Sequence, residues 1–149
     1  MDSLVAPERI RLLNDASIRP GKYVLYWMQA SHRTEENPAL TYAVERANAA
    51  SLPLVVYFGI YPGYPGSNLR HFTFLLEGLS GVSRSLEEIG ARFILLNENP
   101  LEGILDLAGH AAVLVMDRGY ARLSRSWCRE AARRCRCPAI QVEANAVVP

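Results

Sequence analysis

Hydrophobic residues in this chain occur in short continuous runs, separated by longer segments with helical periodicity. Runs of strand length cover residues 23–28, 54–58, 92–96, 112–116 and 139–142. Four of the five read as continuous apolar runs rather than alternating ones, which is typical of parallel strands that are covered on both faces. The pattern therefore predicts a five-stranded parallel sheet between two layers of helices.

The segments between these runs predict helices with recognisable ends. Asn37 is a good N-cap and Pro38 suits the first helical position, so we expect a helix that extends to about residue 50. Asn68 begins a second helix, which ends at Gly90. Its apolar residues recur every three or four positions and predict a wide buried stripe, formed by Leu69, Phe72, Leu76, Leu79, Val82, Leu86 and Ile89. Further helices are predicted over about 101–108 and 121–135, and a short one over 7–14.

The alternation of strands and helices predicts a single α/β domain over residues 1–149, doubly wound and Rossmann-like. With right-handed crossovers, the commonest order for five strands is 3-2-1-4-5. Strands one and four are then neighbours, and the chain reverses direction across the sheet between them. Ligands of such sheets bind beyond the carboxyl ends of the strands at this point. The predicted ligand loops are therefore 29–37 and 117–120.

These loops supply the candidate binding residues. The first carries an amide, a hydroxyl and a guanidinium, which suit the polar groups of a planar ligand, while apolar side chains at the strand ends suit its ring. The candidates are Met28, Gln29, Ala30, Ser31, Arg33, Phe58, Gly59, Asp117 and Gly119. A capped strand–helix turn with a solvated Arg33 explains the first loop equally simply, and Asp117 equally suits capping of the helix that follows it.

The helix predicted over 121–135 carries a stripe of arginines. At about 100° per residue, the following lie within roughly one quarter of the helix circumference: Arg122, Arg125, Arg129, Arg133 and Arg136. Three interpretations of the stripe are open. It contacts phosphates, it is a solvated helix face, or it is a docking face for another domain.

Charge and cysteine content narrow the choice of function. The formal net charge is +1, which gives no electrostatic support for a free-standing DNA-binding module. The three cysteines, all near one end, do not make a disulfide framework, and we expect reduced thiols in a cytoplasmic protein. No apolar run reaches the roughly 18 residues that span a bilayer, and residues 1–8 lack a secretory pattern, so no membrane partner is expected.

Common nucleotide and nucleophile signatures are missing from the sequence. Gly59, Gly63 and Gly66 do not form GxGxxG, and with their prolines they predict a stiff loop. The single lysine, Lys22, precedes the first strand and does not suit a phosphate loop. We expect no catalytic residue and no metal site in this chain.

Several segments, in this order and spacing, resemble class II DNA photolyases, which split cyclobutane pyrimidine dimers. The opening strand and loop, Tyr-Val-Leu-Tyr-Trp-Met-Gln-Ala-Ser at 23–31, is similar to the start of that family. Further similar segments are 9–14, 37–40, 47–48, 53–54, 68–72, 76–79, 117–120 with Trp127, 142–143 and 147–149. At His32 many family members have glutamine.

The resemblance implies the N-terminal α/β domain of a photolyase. Such a domain can hold an antenna chromophore, often a deazaflavin or a folate, which passes excitation energy to FAD. FAD, the dimer-binding cavity and the electron-transfer residues belong to a C-terminal helical domain. The resemblance therefore implies that this helical domain is absent here, and that the chain alone is inactive. It would dock to that domain and meet damaged DNA only in the full-length enzyme.

Two competing functions remain at the level of sequence. The first is a free-standing nucleotide- or flavin-binding protein of the same α/β fold, although the glycine-rich phosphate loop of such proteins is missing after the fourth strand. The second is a structural role in which the arginine stripe is a docking surface.

Overall fold

A six-stranded sheet forms the centre of the computed structural model, which describes residues 3–148. The strands are Ile10–Leu12 (β1), Tyr23–Trp27 (β2), Leu54–Ile60 (β3), Arg92–Asn97 (β4), Ala111–Asp117 (β5) and Ala139–Val142 (β6). Their order is β1-β6-β5-β2-β3-β4, and the pairs from β6 to β4 are all parallel. The predicted five strands therefore lie in the predicted order, and the Rossmann-like α/β fold is confirmed.

The number of strands was predicted incorrectly, because the sheet has an additional edge strand. The segment 7–14, predicted as a helix, contains only a 3₁₀ turn at Pro7–Arg9, followed by β1. β1 pairs antiparallel to β6, with Ile10 opposite Val142 and Leu12 opposite Ile140. The short amphipathic pattern of this segment suits a helix or a strand. The strand forms because the edge of β6 offers backbone N–H and C=O groups that need partners.

The α-helices span Pro38–Ala50 (α1), Leu69–Glu88 (α2), Pro100–Ala108 (α3) and Arg122–Arg134 (α4). Asn37 and Asn68 cap α1 and α2 as predicted, since the side chain of each accepts backbone N–H groups of the first turn. Gly90, just beyond α2, has a φ of 77°, a left-handed conformation that favours glycine. None of these helices, within the described part of the chain, is long and apolar enough to cross a bilayer.

Only the second half of α2 packs on the sheet, so the predicted buried stripe is wrong for the first half. Leu79, Val82 and Leu86 are buried, whereas Leu69 is 82% exposed. Leu76 is exposed as well, and so is Ile89, which follows the last residue of α2. The first turns of α2 extend beyond the carboxyl edge of the sheet, and there they form one wall of the cleft described below.

Two apolar cores lie on opposite faces of the sheet. One contains α1 with the buried part of α2, and the other contains α3 with α4. Consecutive residues of β2 serve both, because Tyr26 joins the first core while Leu25 and Trp27 join the second. This double coverage explains why the central strands read as continuous apolar runs.

The structure describes no conformation for Met1, Asp2 or Pro149, so parts of two sequence segments discussed above, 1–8 and 147–149, lie outside the described residues.

Candidate functional site

A cleft of about 560 Å³ opens at the carboxyl ends of β2, β3 and β5. Its floor is formed by the strand ends, one wall by the first turns of α2 and the opposite wall by the start of α4. The lining residues are Trp27, Met28, Gln29, Ala30, His32, Phe58, Gly59, Ile60, Tyr61, Tyr64, Pro65, Gly66, Ser67, His71, Phe72, Leu75, Pro100, Gly119, Tyr120, Ala121, Ser124 and Trp127. The position agrees with the ligand edge predicted from the strand order.

Six of the nine candidate residues lie in this lining: Met28, Gln29, Ala30, Phe58, Gly59 and Gly119. Gly59 occupies a position where a side chain does not fit, because an added Cβ would lie 2.6 Å from the Tyr57 hydroxyl and 2.9 Å from Pro100. The backbone of β3 thereby approaches α3 closely at the cleft floor. That these six residues bind a chromophore stays a prediction.

Asp117 does not line the cleft. It is 0% exposed and lies beneath the loop that follows β2. Its carboxylate accepts N–H groups from Gln29 at 3.0 Å, Ala30 at 3.0 Å and Ser31 at 2.9 Å, and the Tyr26 hydroxyl at 3.2 Å. Burial raises the pKa of Asp117, although the hydrogen bonds from Ser31, Ala30 and Gln29 act in the opposite direction. The carboxylate therefore shapes the cleft loop and does not cap α4.

Ser31 and Arg33 also lie outside the lining, because their side chains bind the C-terminal segment. The Ser31 hydroxyl donates to Asn145 Oδ1 at 3.0 Å, and Arg33 donates to the same oxygen at 3.1 Å and to the Ala144 carbonyl at 2.7 Å. Direct ligand contact by Ser31 or Arg33 stays a prediction, and the structure places both side chains outside the lining. Sequence alone does not reveal that residues 144–145 return to this loop.

Aromatic side chains dominate the cleft walls, and most of them were missed at the level of sequence. Trp127 of α4 contacts Tyr61 with ring centroids 5.6 Å apart and Tyr64 at 6.3 Å, both edge to face. His32 meets Phe58 in the same manner at 4.9 Å. The available signal was the Tyr61–Tyr64 pair in the loop after β3, which follows a strand that ends at the ligand edge.

Tyr120 connects the cleft to the C-terminal segment. Its hydroxyl donates a hydrogen bond to the Glu143 carboxylate, and Arg118 lies 3.6 Å from the same carboxylate. Glu143 also accepts the N–H groups of Asn145 and Ala146, each at 2.9 Å. Burial raises the pKa of Glu143, but the hydrogen bonds from Tyr120, Ala146 and Asn145 and the charge of Arg118 outweigh burial, and the pKa is lowered overall.

The arginine stripe does not reach the cleft. All five of its arginines are exposed, and Arg133 pairs with Glu130 at 2.6 Å. This agrees with the interpretation as a solvated helix face. Among residues 3–148, no group of three or more histidine, cysteine, aspartate or glutamate side chains is arranged to hold a metal ion.

Comparison with known proteins assigns the family. The family model for DNA photolyase matches residues 24–149. The chain belongs to the DNA photolyase family. A deoxyribodipyrimidine photo-lyase from Methanothermobacter thermautotrophicus is 43% identical over 148 residues, which cover 98% of this chain and 33% of that protein. A deoxyribodipyrimidine photo-lyase from Potorous tridactylus is 30% identical over 149 residues, and the match covers 95% of this chain and 28% of that protein.

The matched part of this photolyase-family chain spans only about a fifth to a third of the length of its curated relatives, and its fold fits the N-terminal α/β domain of the family. A class III photolyase from Agrobacterium tumefaciens superposes with a TM-score of 0.64 at 19% identity, covering 85% of this chain and 27% of that protein. A universal stress protein from Archaeoglobus fulgidus, solved in complex with dAMP, superposes with a TM-score of 0.55 at 19% identity. The match covers 85% of this chain and all of that protein. At such identities both likenesses show the shared fold alone.

Proposed function

We propose that this chain is the antenna-chromophore domain of a class II deoxyribodipyrimidine photolyase, and that the cleft holds the chromophore. One observation carries the proposal: a cleft walled by aromatic residues lies at the ligand edge of a photolyase-family α/β domain. The antenna would be a deazaflavin or a folate, and it would supply absorbed light energy when bound. The chain's own residues would hold and orient it.

The lining suits a planar heteroaromatic ring system. The volume of about 560 Å³ lies within the range of small-molecule sites, which bind mostly through apolar and aromatic contacts. Trp127, Tyr61 and Phe58 offer ring faces or edges for stacking. Gln29, Ser67 and Ser124 provide a few polar groups for the ring edge.

The same lining argues against the alternative of a nucleotide-binding protein. Its residues among positions 3–148 include His32 and His71 but no lysine or arginine. A triphosphate is usually bound by cationic side chains or by the backbone of a GxGxxG or P-loop turn, and the lining contains neither, since its Gly59 and Gly66 do not form such a motif. We therefore favour a ligand whose buried part is uncharged.

Titration of the chain with a deazaflavin, a methenyl folate and ATP tests this proposal. We expect the fluorescence of Trp27 and Trp127, which both line the cleft, to be quenched by one of the two pigments, with saturable binding, and not by ATP. Saturable binding of ATP with no effect of either pigment would contradict the proposal and support the nucleotide alternative.

A pair of matched variants locates the binding site. Ala30 lines the cleft and contacts Asp117 only through its backbone, so Ala30→Trp narrows the cleft without removing a hydrogen bond. We expect this variant to weaken pigment binding by at least tenfold, about 1.4 kcal/mol. Ala49→Trp places the same side chain on the exposed surface of α1, outside the lining, and serves as the control.

Light-driven repair itself would belong to a part of the photolyase that this chain does not span. We propose that FAD, dimer splitting and contact with damaged DNA belong to a C-terminal helical domain, to which this α/β domain docks in the cytoplasm. The three cysteines of the chain are free thiols, which fits a reducing compartment. A light-dependent repair assay with added FAD should detect no dimer splitting by this chain. Repair by the chain alone would contradict the assignment.

A further inference from the structure

Two cysteines lie together at the end of α4, on the opposite side of the sheet from α1 and away from the cleft lining. Cys135 follows the last residue of α4, and Cys137 precedes β6 after a bend in the chain. We propose that Cys135 and Cys137 form a redox-active dithiol, which small disulfides such as oxidised glutathione convert to an intramolecular disulfide.

The geometry places Cys135 and Cys137 beside the side chain of Asn14, at the edge of the apolar core that contains α3 and α4. Cys135 Sγ lies 3.4 Å from the Cys137 carbonyl oxygen and 3.4 Å from Asn14 Nδ2. A single residue, in a bend of the chain, separates the two cysteines. Asn14 also donates to the carbonyls of Ala132 at 3.0 Å and Cys137 at 3.1 Å. Asn14 therefore holds the end of α4 against the start of β6, with Cys135 and Cys137 in the short segment between them.

The two thiols differ in exposure, and this difference assigns their roles. Cys135 is partly exposed and open to attack on a dissolved disulfide, whereas Cys137 is 0% exposed. Hydrogen bonds from the Cys137 thiol and from Asn14 lower the pKa of Cys135, although burial opposes them, and the same contact with Cys135 raises the pKa of Cys137. Since the thiolate is the nucleophile, Cys135 reacts first.

The third cysteine provides an internal comparison. Cys128 is buried on the inner face of α4, and burial raises its pKa to about 11. Its thiol is a hydrogen-bond partner of Gln29 at 3.2 Å, near the cleft loop rather than near Asn14. It therefore lacks both the accessibility and the thiolate character that Cys135 has.

The reaction proceeds in two exchange steps. The Cys135 thiolate attacks one sulfur of oxidised glutathione, forming a mixed disulfide and releasing one glutathione thiolate, which takes up a proton. Cys137 then loses its proton and attacks Cys135 Sγ, so that the Cys135–Cys137 bond forms and a second glutathione leaves. The two cysteines are oxidised, and one glutathione disulfide is reduced to two thiols.

Thiol counting and peptide mass spectrometry of the whole chain test the proposal. After incubation with oxidised glutathione, we expect the number of free thiols to fall from three to one. The peptide that contains Cys135 and Cys137 should lose two hydrogens, and Cys128 should remain alkylatable after denaturation. This measurement uses the unmodified chain and does not depend on how well any variant folds.

Three serine variants separate the roles of the cysteines. Cys137→Ser should accumulate one glutathione on Cys135, and Cys135→Ser should remain unmodified. Cys128→Ser should form the same disulfide as the unmodified chain and retain no free thiol. Three free thiols after incubation, a stable mixed disulfide in the unmodified chain, or a disulfide that includes Cys128 would each overturn the proposal.

Discussion

Asp117 and Glu143 are buried carboxylates, and each holds a turn of backbone at the ligand edge of the sheet. Asp117 accepts consecutive N–H groups of residues 29–31, and Glu143 accepts those of residues 145 and 146. The sequence indicated that Asp117 mattered at this edge, because it ends a buried strand. It did not indicate the role, because the N–H groups that surround Asp117 come from residues almost ninety positions earlier.

Replacing Asp117 should destabilise the fold as well as the cleft. Asp117→Ala leaves several buried N–H groups without an acceptor, so we expect the free energy of unfolding to fall by about 2–4 kcal/mol. Asp117→Asn retains one acceptor oxygen and should lower the free energy of unfolding by less than Asp117→Ala does. Urea denaturation measures both, with the exposed Asp15→Ala as the control. A loss for Asp117→Ala no larger than that of the control would contradict this role.

The lowered pKa of Glu143 predicts how the free energy of unfolding changes with pH. Because its pKa is lowered in the folded state, its ionised form stabilises the fold above the ordinary glutamate pKa, and this contribution is lost as pH falls through the lowered value. We expect Glu143→Gln to reduce the free energy of unfolding by about 1–2 kcal/mol near neutral pH. The difference should shrink below the ordinary glutamate range.

Denaturation curves between neutral and acidic pH test this expectation. The exposed Glu87→Gln on α2 serves as the matched control and should show little effect at any pH. A Glu143→Gln deficit that stays constant throughout acidification would show that ionisation of this carboxyl does not contribute.

At the scale of single elements, α2 shows the limit of periodicity. Its apolar residues repeat regularly along the whole helix, yet only those in the second half meet the sheet, through Leu79, Val82 and Leu86. In the first half, Phe72 and Leu75 line the cleft, while Leu69 and Phe74 are more than three quarters exposed. A helical repeat indicates which side chains share a face, but not how far the neighbouring element extends beneath that face.

Leucine truncations along α2 should therefore have unequal effects. Leu79→Ala removes a buried side chain and should lower the free energy of unfolding by about 2–4 kcal/mol. Leu69→Ala, chemically the same change on an exposed turn, should alter it by less than about 0.5 kcal/mol. Thermal or urea denaturation of the two variants measures the difference. Equal losses would mean that the first turns of α2 are packed against the rest of this chain.

At the scale of the whole molecule, the two ends of the chain are joined at the additional edge of the sheet. β1 pairs with β6, and the Arg9 guanidinium donates to the carbonyls of Glu143 at 3.3 Å, Ala146 at 2.8 Å and Val147 at 3.0 Å. Arg33 binds the same segment from the cleft loop. The segment after β6 is therefore fixed against the domain, although it has no helix or strand of its own.

Removing the Arg9 side chain should release this segment. Because three carbonyls lose a charged donor, we expect Arg9→Ala to accelerate limited proteolysis within residues 143–148 by about tenfold, which corresponds to about 1.4 kcal/mol of local stability. Arg11→Ala, an exposed arginine on the same strand, provides the control. Intact-mass analysis of the digests measures the cleavage rate within residues 143–148 for each variant. Identical cleavage rates would contradict the proposed contribution of Arg9.

The sequence by itself determined the parallel core, the strand order, the capped starts of α1 and α2 and the edge at which the cleft opens. These features follow from local information, since the burial of both faces, the capping side chains and the crossover handedness act over short stretches of chain. Family resemblance added the photolyase assignment, which the comparisons confirm.

Only the tertiary structure decided the sixth strand, the exposed half of α2, the aromatic walls of the cleft and the structural roles of Ser31, Arg33 and Asp117. Each depends on a partner far away in sequence: β6 for β1, α4 for Tyr61, and residues 144–145 for Arg33. A side chain on a loop faces either a ligand or another part of the chain, and the return of distant segments to the same place determines which.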